Sequence, residues 1–461
     1  MSMLGVYRGL LEAVYGPERW QETGDLPRLD QRPAELELQS RWFNGEFGRD
    51  FVTLDGRMVS VRQFGEWNRS AGPDFREVVV AIGGRQARGA LELDWDARDW
   101  ERHAHAVNPA YDGTVLHVFF ADPPAGERFF TRTSAHRDVP QVRIDLTAHE
   151  AAQGLTARRA AAARIGRCAF PLARMDKVAL DRLFEGAARQ RMARKAARFE
   201  KIADLHGRDQ ALFQEVAAGL GYRNNKWPMT ALVQRLPLRH LQGRPGESEA
   251  LLFGVAGFLE TKIYETAAED TRRYLRGLWE TWWKHRAEFD GATPLPWAGA
   301  GIRPQNHPHR RIAALSLILQ HWKSVRTAFD TGSDAVERVL TGLGHPYWSH
   351  HYTMASARLA RPVAIVGNAR VADLLANVFF PARSLKTELW WTTYAILPAP
   401  LDNEKSRRAA ARLLGHRPDA ATFTRRLYQQ QALLQIYEDF CLVDDSDCAR
   451  CQFPTQLQQF R

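Results

Sequence analysis

The chain changes pattern near residue 150. Before it, short runs of alternating apolar and polar residues sit between Gly, Pro and Asp. After it, apolar residues recur at helical spacing almost to the end. FVTLDG (51–56), RMVSVRQFG (57–65), DFREVVVAIGG (74–84) and ARGALELDW (87–95) read as strands, and the Gly-Arg and Gly-Gly breaks between them suit hairpins. PAELELQSRWF (33–43) starts with Pro and reads as a helix ahead of them. ARDWERHAHAVNPAY (97–111) reads as a helix ending near Pro109, and the apolar, β-branched TVLHVFFAD (114–122) as a central strand. Helix, three or four strands, helix, strand predicts an α+β (mixed α/β) core over 1–150, a mixed sheet flanked by helices. A large, mainly α-helical region over 151–461 follows. Within that region 179–204 is the clearest helix. ALLFGVAGFL (250–259) carries small residues suited to close packing, and Trp279, Trp282 and Trp283 are expected in the core.

Composition narrows the class. With 45% hydrophobic and 25% charged residues in 461, the chain is expected to be globular, without a disulfide scaffold. No apolar run reaches the roughly 18–20 residues that a bilayer requires, and the start lacks a targeting pattern, so a cytoplasmic protein without membrane contact is expected. Net charge of +10 favours a polyanionic partner, nucleic acid above all. The excess is carried by Arg, which genome composition also inflates.

The most informative stretch is Gly72-Pro73-Asp74-Phe75, followed by Glu92-Leu93-Asp94. Alternate side chains of a strand share a face, so Glu92 and Asp94 point one way while Leu91 and Leu93 point into a core. If the two strands are hairpin neighbours, Asp74 joins them. Three carboxylates at one spot call for a cation, and hard divalent ions such as Mg²⁺ or Mn²⁺ take such oxygens. The same spacing also suits solvated strand acids paired with nearby arginines. His103, His105 and His117 lie close in sequence. On an ideal helix His103 and His105 would occupy different faces, so each reads either as a structural histidine or as a general base or phosphate contact.

Two further patterns carry chemistry. Cys441-x6-Cys448-x2-Cys451, with Cys168 upstream, offers four thiols for Zn²⁺ or a [4Fe–4S] cluster; four unrelated reduced thiols are the alternative. The acidic run Asp444–Asp447 is expected as a solvated loop. Gly301-x-Arg303-Pro304-x-Asn306, leading to Arg311, is a proline-fixed loop entering a helix, where Arg303 and Arg311 are candidate nucleic-acid contacts. On the helix 179–204, Arg191 and Lys195 are further candidates, against the reading of a solvated helical face.

Helix with Glu35, hairpin, Pro73-Asp74, Glu92-x-Asp94, helix and strand together resemble the PD-(D/E)XK nuclease superfamily over 33–122. The resemblance implies a nuclease-like core with metal held by Asp74 and Glu92, and Glu35 as an outer ligand. It departs at the superfamily's lysine, whose position holds Asp94; no lysine precedes Lys177. Either His103, His105, His117, Arg76 or Arg102 substitutes, or the site binds without cutting. Asp94 is also a candidate additional ligand. The one-plus-three cysteine arrangement is similar to that of iron–sulfur nucleases of the same fold, although Cys168 follows the core instead of preceding it. Across nearly the whole chain, Asn68-x3-Gly72-Pro73-Asp74-Phe75, Gly89-x2-Glu92, Asp99-Trp100-x2-His103-x-His105, Tyr111, Gly221-Tyr222 and the 301–311 loop resemble an uncharacterised bacterial protein family. Its members commonly have His where this chain has Asp94. The expectation is a divalent-metal nuclease acting on DNA or RNA. The alternative is a catalytically inactive nucleic-acid-binding or assembly protein that retains the fold.

Overall fold

The structure, a computed structural model, describes residues 2–16, 35–43, 45–68, 72–121, 129–146, 165–299, 302–384, 389–399, 404–442, 448 and 451–460. Gly301 and the run 444–447 lie outside them. The fold is α+β, a mixed sheet followed by a large helical region. The chain forms two compact units. One comprises Met1–Pro33, Thr147–Phe199 and Leu375–Arg461; the other comprises Ala34–Leu146 and Glu200–Leu374. The helical region therefore contributes to both units.

The sheet belongs to the second unit. Strand β1 (Asp50–Val52) pairs antiparallel with β2 (Met58–Gln63), and β2 with β4 (Phe75–Ile82). Strand β3 (Glu66–Trp67) also lies on β4. A turn at Gly83-Gly84, both residues left-handed with φ of 55° and 81°, returns the chain into β5 (Arg85–Asp94). Two consecutive positive φ values match the twist of the flanking strands, which is why glycines serve here. A crossover then places β6 (Thr114–Phe119) parallel to β5. After the small hairpin β7 (Thr131–Arg132) and β8 (Asp138–Val139), β9 (Gln141–Arg143) lies parallel to β6.

The alternation in β5 resolves as expected. Leu91 and Leu93 are fully buried with Val78, Val80, Leu116 and Val118. Glu92 and Asp94 occupy the opposite face and are themselves buried, at 6% and 2% exposure. Burial on both faces is the mark of a central strand with a parallel neighbour. The helix Glu35–Phe43 covers the carboxylate-bearing part of the sheet and buries Leu38, Gln39, Trp42 and Phe43.

The segment 97–111 is not one helix. It forms a single turn, Asp99–Arg102, followed by the 3-10 turns His105–Val107 and Pro109–Tyr111. The break is at Ala104, whose φ of 59° and ψ of 27° are left-handed. The Asn108 side chain then caps Ala110 N–H at 3.0 Å, starting the last turn. Of the tryptophans expected inside, Trp283 is 58% exposed, with Arg286 over its ring at 3.9 Å. Trp282 packs directly on Gly254, as the small residues there predicted. Among the described residues no helix is long and apolar enough to cross a membrane.

Gly89 fixes how closely β5 and β6 approach. A Cβ added there would lie 2.3 Å from Gly113 O and 2.6 Å from Val115 Cγ1. Overpacking of this kind costs about 1–3 kcal/mol. Gly89→Ala should therefore lower the thermal midpoint, whereas Gly113→Ala, which meets nothing within 4 Å, should leave it nearly unchanged. Calorimetry of the two variants checks this, and equal midpoints would contradict it.

Candidate metal centre

Phe75 stands opposite Leu91 in the antiparallel register, which sets Asp74 beside Glu92. The two are tied through the backbone. Asp74 N–H donates to Glu92 Oε2 at 2.9 Å, and Leu93 N–H donates to Asp74 Oδ2 at 3.1 Å. From the covering helix, Gln39 Nε2 donates to Asp74 Oδ1 at 2.7 Å and to Glu35 Oε1 at 3.0 Å. Glu35 is exposed and reaches Asp74 through Gln39. Gln39 itself lay outside the sequence expectation.

Three imidazoles face these carboxylates. His105 Nε2 is 3.1 Å from Glu92 Oε1, His117 Nε2 is 3.2 Å from Asp94 Oδ2, and His103 Nδ1 is 3.4 Å from Asp94 Oδ1. The two-residue spacing of His103 and His105 would separate them on a helix. The left-handed Ala104 between them turns the chain so that both rings reach the same acids. Asp94, His103 and His105 each offer one ligand atom, and these atoms lie within 4.8 Å of one another. Two imidazoles and a carboxylate form a donor set suited to first-row transition ions.

The rings are held from behind. Tyr111 stacks on His105 with centroids 4.0 Å apart, and Trp100 packs at 5.5 Å from His105 and 5.3 Å from His117. Trp100 Nε1 donates to Arg132 O at 2.9 Å, and His117 Nδ1 sits 2.6 Å from Thr131 Oγ1. On the side facing the acids, His105 Nε2, His117 Nε2 and Asp94 Oδ2 are buried without an aligned hydrogen bond among the described residues. Buried polar atoms of this kind are costly unless something else satisfies them.

Electrostatics point the same way. Burial, then the charges of Glu92, Glu35 and Asp94, push the Asp74 carboxyl well above the usual range. Burial and Asp94 do the same to Glu92. Burial lowers His105, with Asp94 and Glu35 opposing. Arg102, a sequence candidate for the missing lysine's role, pairs with Asp99 instead. A buried cation arrives from the helix Arg208–Arg235. Burial lowers the Arg235 guanidinium to about 10, and Asp74 is the charge that opposes the shift.

The basic candidates are placed differently. Arg191 pairs with Glu438 at 2.6 Å and donates to Gln431 at 2.9 Å. Lys195 donates to Asn377 at 2.6 Å and to Gln431 at 2.9 Å. Both are thus engaged inside the first unit. Arg303 is exposed ahead of the short turn Pro304–Asn306. Arg311 is buried in the second unit, where Arg311 Nη2 and Arg370 Nη2 both donate to Asn306 Oδ1, at 2.6 and 3.3 Å. Burial and the like charges of Arg370 and Arg310 lower Arg311 to about 9, and its Nε and Nη1 have no hydrogen-bond partner among the described residues. The Arg370 guanidinium lies 4.8 Å over the ring of Tyr222, itself at a left-handed φ of 54°. Arg370 also pairs with Asp373 at 3.2 Å, so the donors left for an anion are those of Arg311.

This α+β chain, with its acid–imidazole cluster at the sheet, belongs to the family described as Protein of unknown function (DUF2851), which matches residues 35–390. The matched span contains Asp74, Glu92, Asp94 and all three histidines. No curated protein and no solved structure matches the chain.

The raised carboxyls set a pH dependence. Well below pH 4, Asp74 and Glu92 are protonated in both folded and unfolded chains. As pH rises, the unfolded chain releases protons that the folded chain retains, so the metal-free fold loses stability from this pair. Glu92→Gln removes part of that loss. In metal-free buffer its thermal midpoint, relative to the native chain, should rise progressively from pH 5 to pH 8. A difference independent of pH would show that the pair is not charge-strained.

Proposed function

We propose that the chain is a divalent-metal-dependent phosphodiesterase acting on DNA or RNA. The observation that carries this reading is the convergence of Asp74, Glu92 and Asp94 with His103, His105 and His117 on one sheet face. There, Asp94 Oδ2, His105 Nε2 and His117 Nε2 are buried and have no aligned hydrogen bond among the described residues. This donor set fits a cation: Asp94, His103 and His105 as the compact triad, with Asp74 and Glu92 adjoining through the β4–β5 pairing. Imidazole ligands favour Mn²⁺ over Mg²⁺. Such an ion supplies charge neutralisation and Lewis-acid polarisation of a phosphoryl oxygen. The element order around Pro73-Asp74 and Glu92-x-Asp94 supports a nuclease-like core.

The chain's own groups do the remaining work. Gln39 and the Leu93 amide hold the Asp74 carboxylate, while Tyr111, Trp100 and Thr131 hold the imidazoles. His103, with 46% of its side chain exposed, sits at the open side of the cluster, where it would hold the ion at the edge that substrate reaches. Arg235 supplies positive charge near Asp74, where the superfamily's lysine is missing. Arg311 and the net charge of +10 support a polyanionic substrate.

One observation favours a second reading. Asp94 occupies the lysine's position, which suits a nucleic-acid-binding protein that does not cut. Purified chain, incubated with single- and double-stranded DNA and RNA in Mn²⁺ or Mg²⁺, separates the two. Under the first reading cleavage requires the ion, is abolished in Asp74→Asn and falls about tenfold or more in His103→Ala, which removes a ligand of the ion. Cleavage persisting in Asp74→Asn would overturn the assignment. Salt-sensitive binding without cleavage would select the second reading.

A further inference from the structure

A second cluster lies in the first unit, independent of the carboxylate site. Cys168 is 4% exposed in a core built by Tyr7, Leu11, Leu183, Phe440 and Phe453, among others. Cys441 and Cys451 pack against the same core. Cys448 Sγ accepts a hydrogen bond from Arg412 Nη2 at 2.8 Å, and Cys168 Sγ and the Arg412 backbone both lie against Gly166. Cys441, Cys448, Cys451 and Arg412 all lie near enough to Cys168 for their charges to act on it. Cys168 and the three cysteines of the C-terminal run therefore gather in one region, with Arg412 bonded to Cys448.

The backbone carries the marks of a constrained site. Cys448 has a left-handed φ of 74°, which a non-glycine residue adopts only when its surroundings hold it there. Cys441 lies on a π-helical turn, Tyr437–Leu442, a geometry found most often where a helix is bent to present a functional group.

We propose that Cys168, Cys441, Cys448 and Cys451 are the four thiolate ligands of a thiophilic metal centre that staples the C-terminal segment to the helix following Cys168. Its chemistry is that of Zn²⁺ or of a [4Fe–4S] cluster; either displaces the thiol protons as it binds. The ligands close the site on themselves, which suits a structural role.

The test uses the full chain purified without oxygen or chelator. Metal content, acid-labile sulfide, the visible spectrum and X-ray absorption at the metal edge are measured. The proposal expects about one zinc per chain with sulfur scatterers at about 2.3 Å, or about four irons and four sulfides with a brown colour. In Cys448→Ser/Cys451→Ser occupancy should fall tenfold or more, while in His103→Ala/His105→Ala it should remain. Less than about a tenth of a metal per chain would overturn the proposal, as would a purely nitrogen and oxygen shell or native occupancy in the double cysteine variant. The scattering measurement on the native chain decides even if the variant fails to fold.

Discussion

Three carboxylates crowded at the ends of neighbouring strands are the constraint around which the sheet unit is organised. Asp74, Glu92 and Asp94 are drawn together by the β4–β5 register and by backbone amides that clamp two of them. Burial of like charges is unfavourable unless cations or hydrogen bonds compensate. The surrounding residues read as responses to that strain. Gln39 donates from the covering helix, Arg235 brings a buried positive charge, and three imidazoles turn nitrogen atoms toward the oxygens. Among the described residues, Asp94 Oδ2, His105 Nε2 and His117 Nε2 keep no aligned hydrogen bond, and the proposed divalent ion rests on them.

The parallel step from β5 to β6 places the imidazoles there. A parallel pair requires a crossover, and here the crossover is broken into short turns in place of one helix. Ala104, held left-handed, converts a His-x-His spacing that a helix would splay into a pair reaching the same acids. His117 arrives from the parallel strand opposite Glu92, with Trp100 and Tyr111 as its aromatic backing and that of His105. Close approach of the two strands depends on Gly89, so backbone geometry and site chemistry are coupled in the same few residues.

Much of this arrangement was legible in the sequence. Alternation marks β2, β4 and β5, an apolar β-branched run marks β6, and the Gly-Gly turn between β4 and β5 makes the meeting of Asp74 with Glu92 and Asp94 a consequence of hairpin pairing. The pairing of His103 with His105 was not legible, because alanine carries no preference for the left-handed conformation that Ala104 adopts. Gln39 and Arg235 were missed for another reason: each reaches Asp74 only through tertiary packing of a helix. The three-residue strand β9 is too short to show alternation. Helical charge, by contrast, left Arg191 and Lys195 open between a solvated face and a polyanion contact, and side chains of the same unit, Glu438, Gln431 and Asn377, engage them.

The most direct test of the account is anomalous diffraction from crystals of the full chain soaked in Mn²⁺. The account predicts a single strong manganese peak in the sheet unit, within coordination distance of Asp94, His103 and His105 and beside Asp74 and Glu92. A map without a peak there, at an ion concentration that supports full occupancy elsewhere, would contradict it.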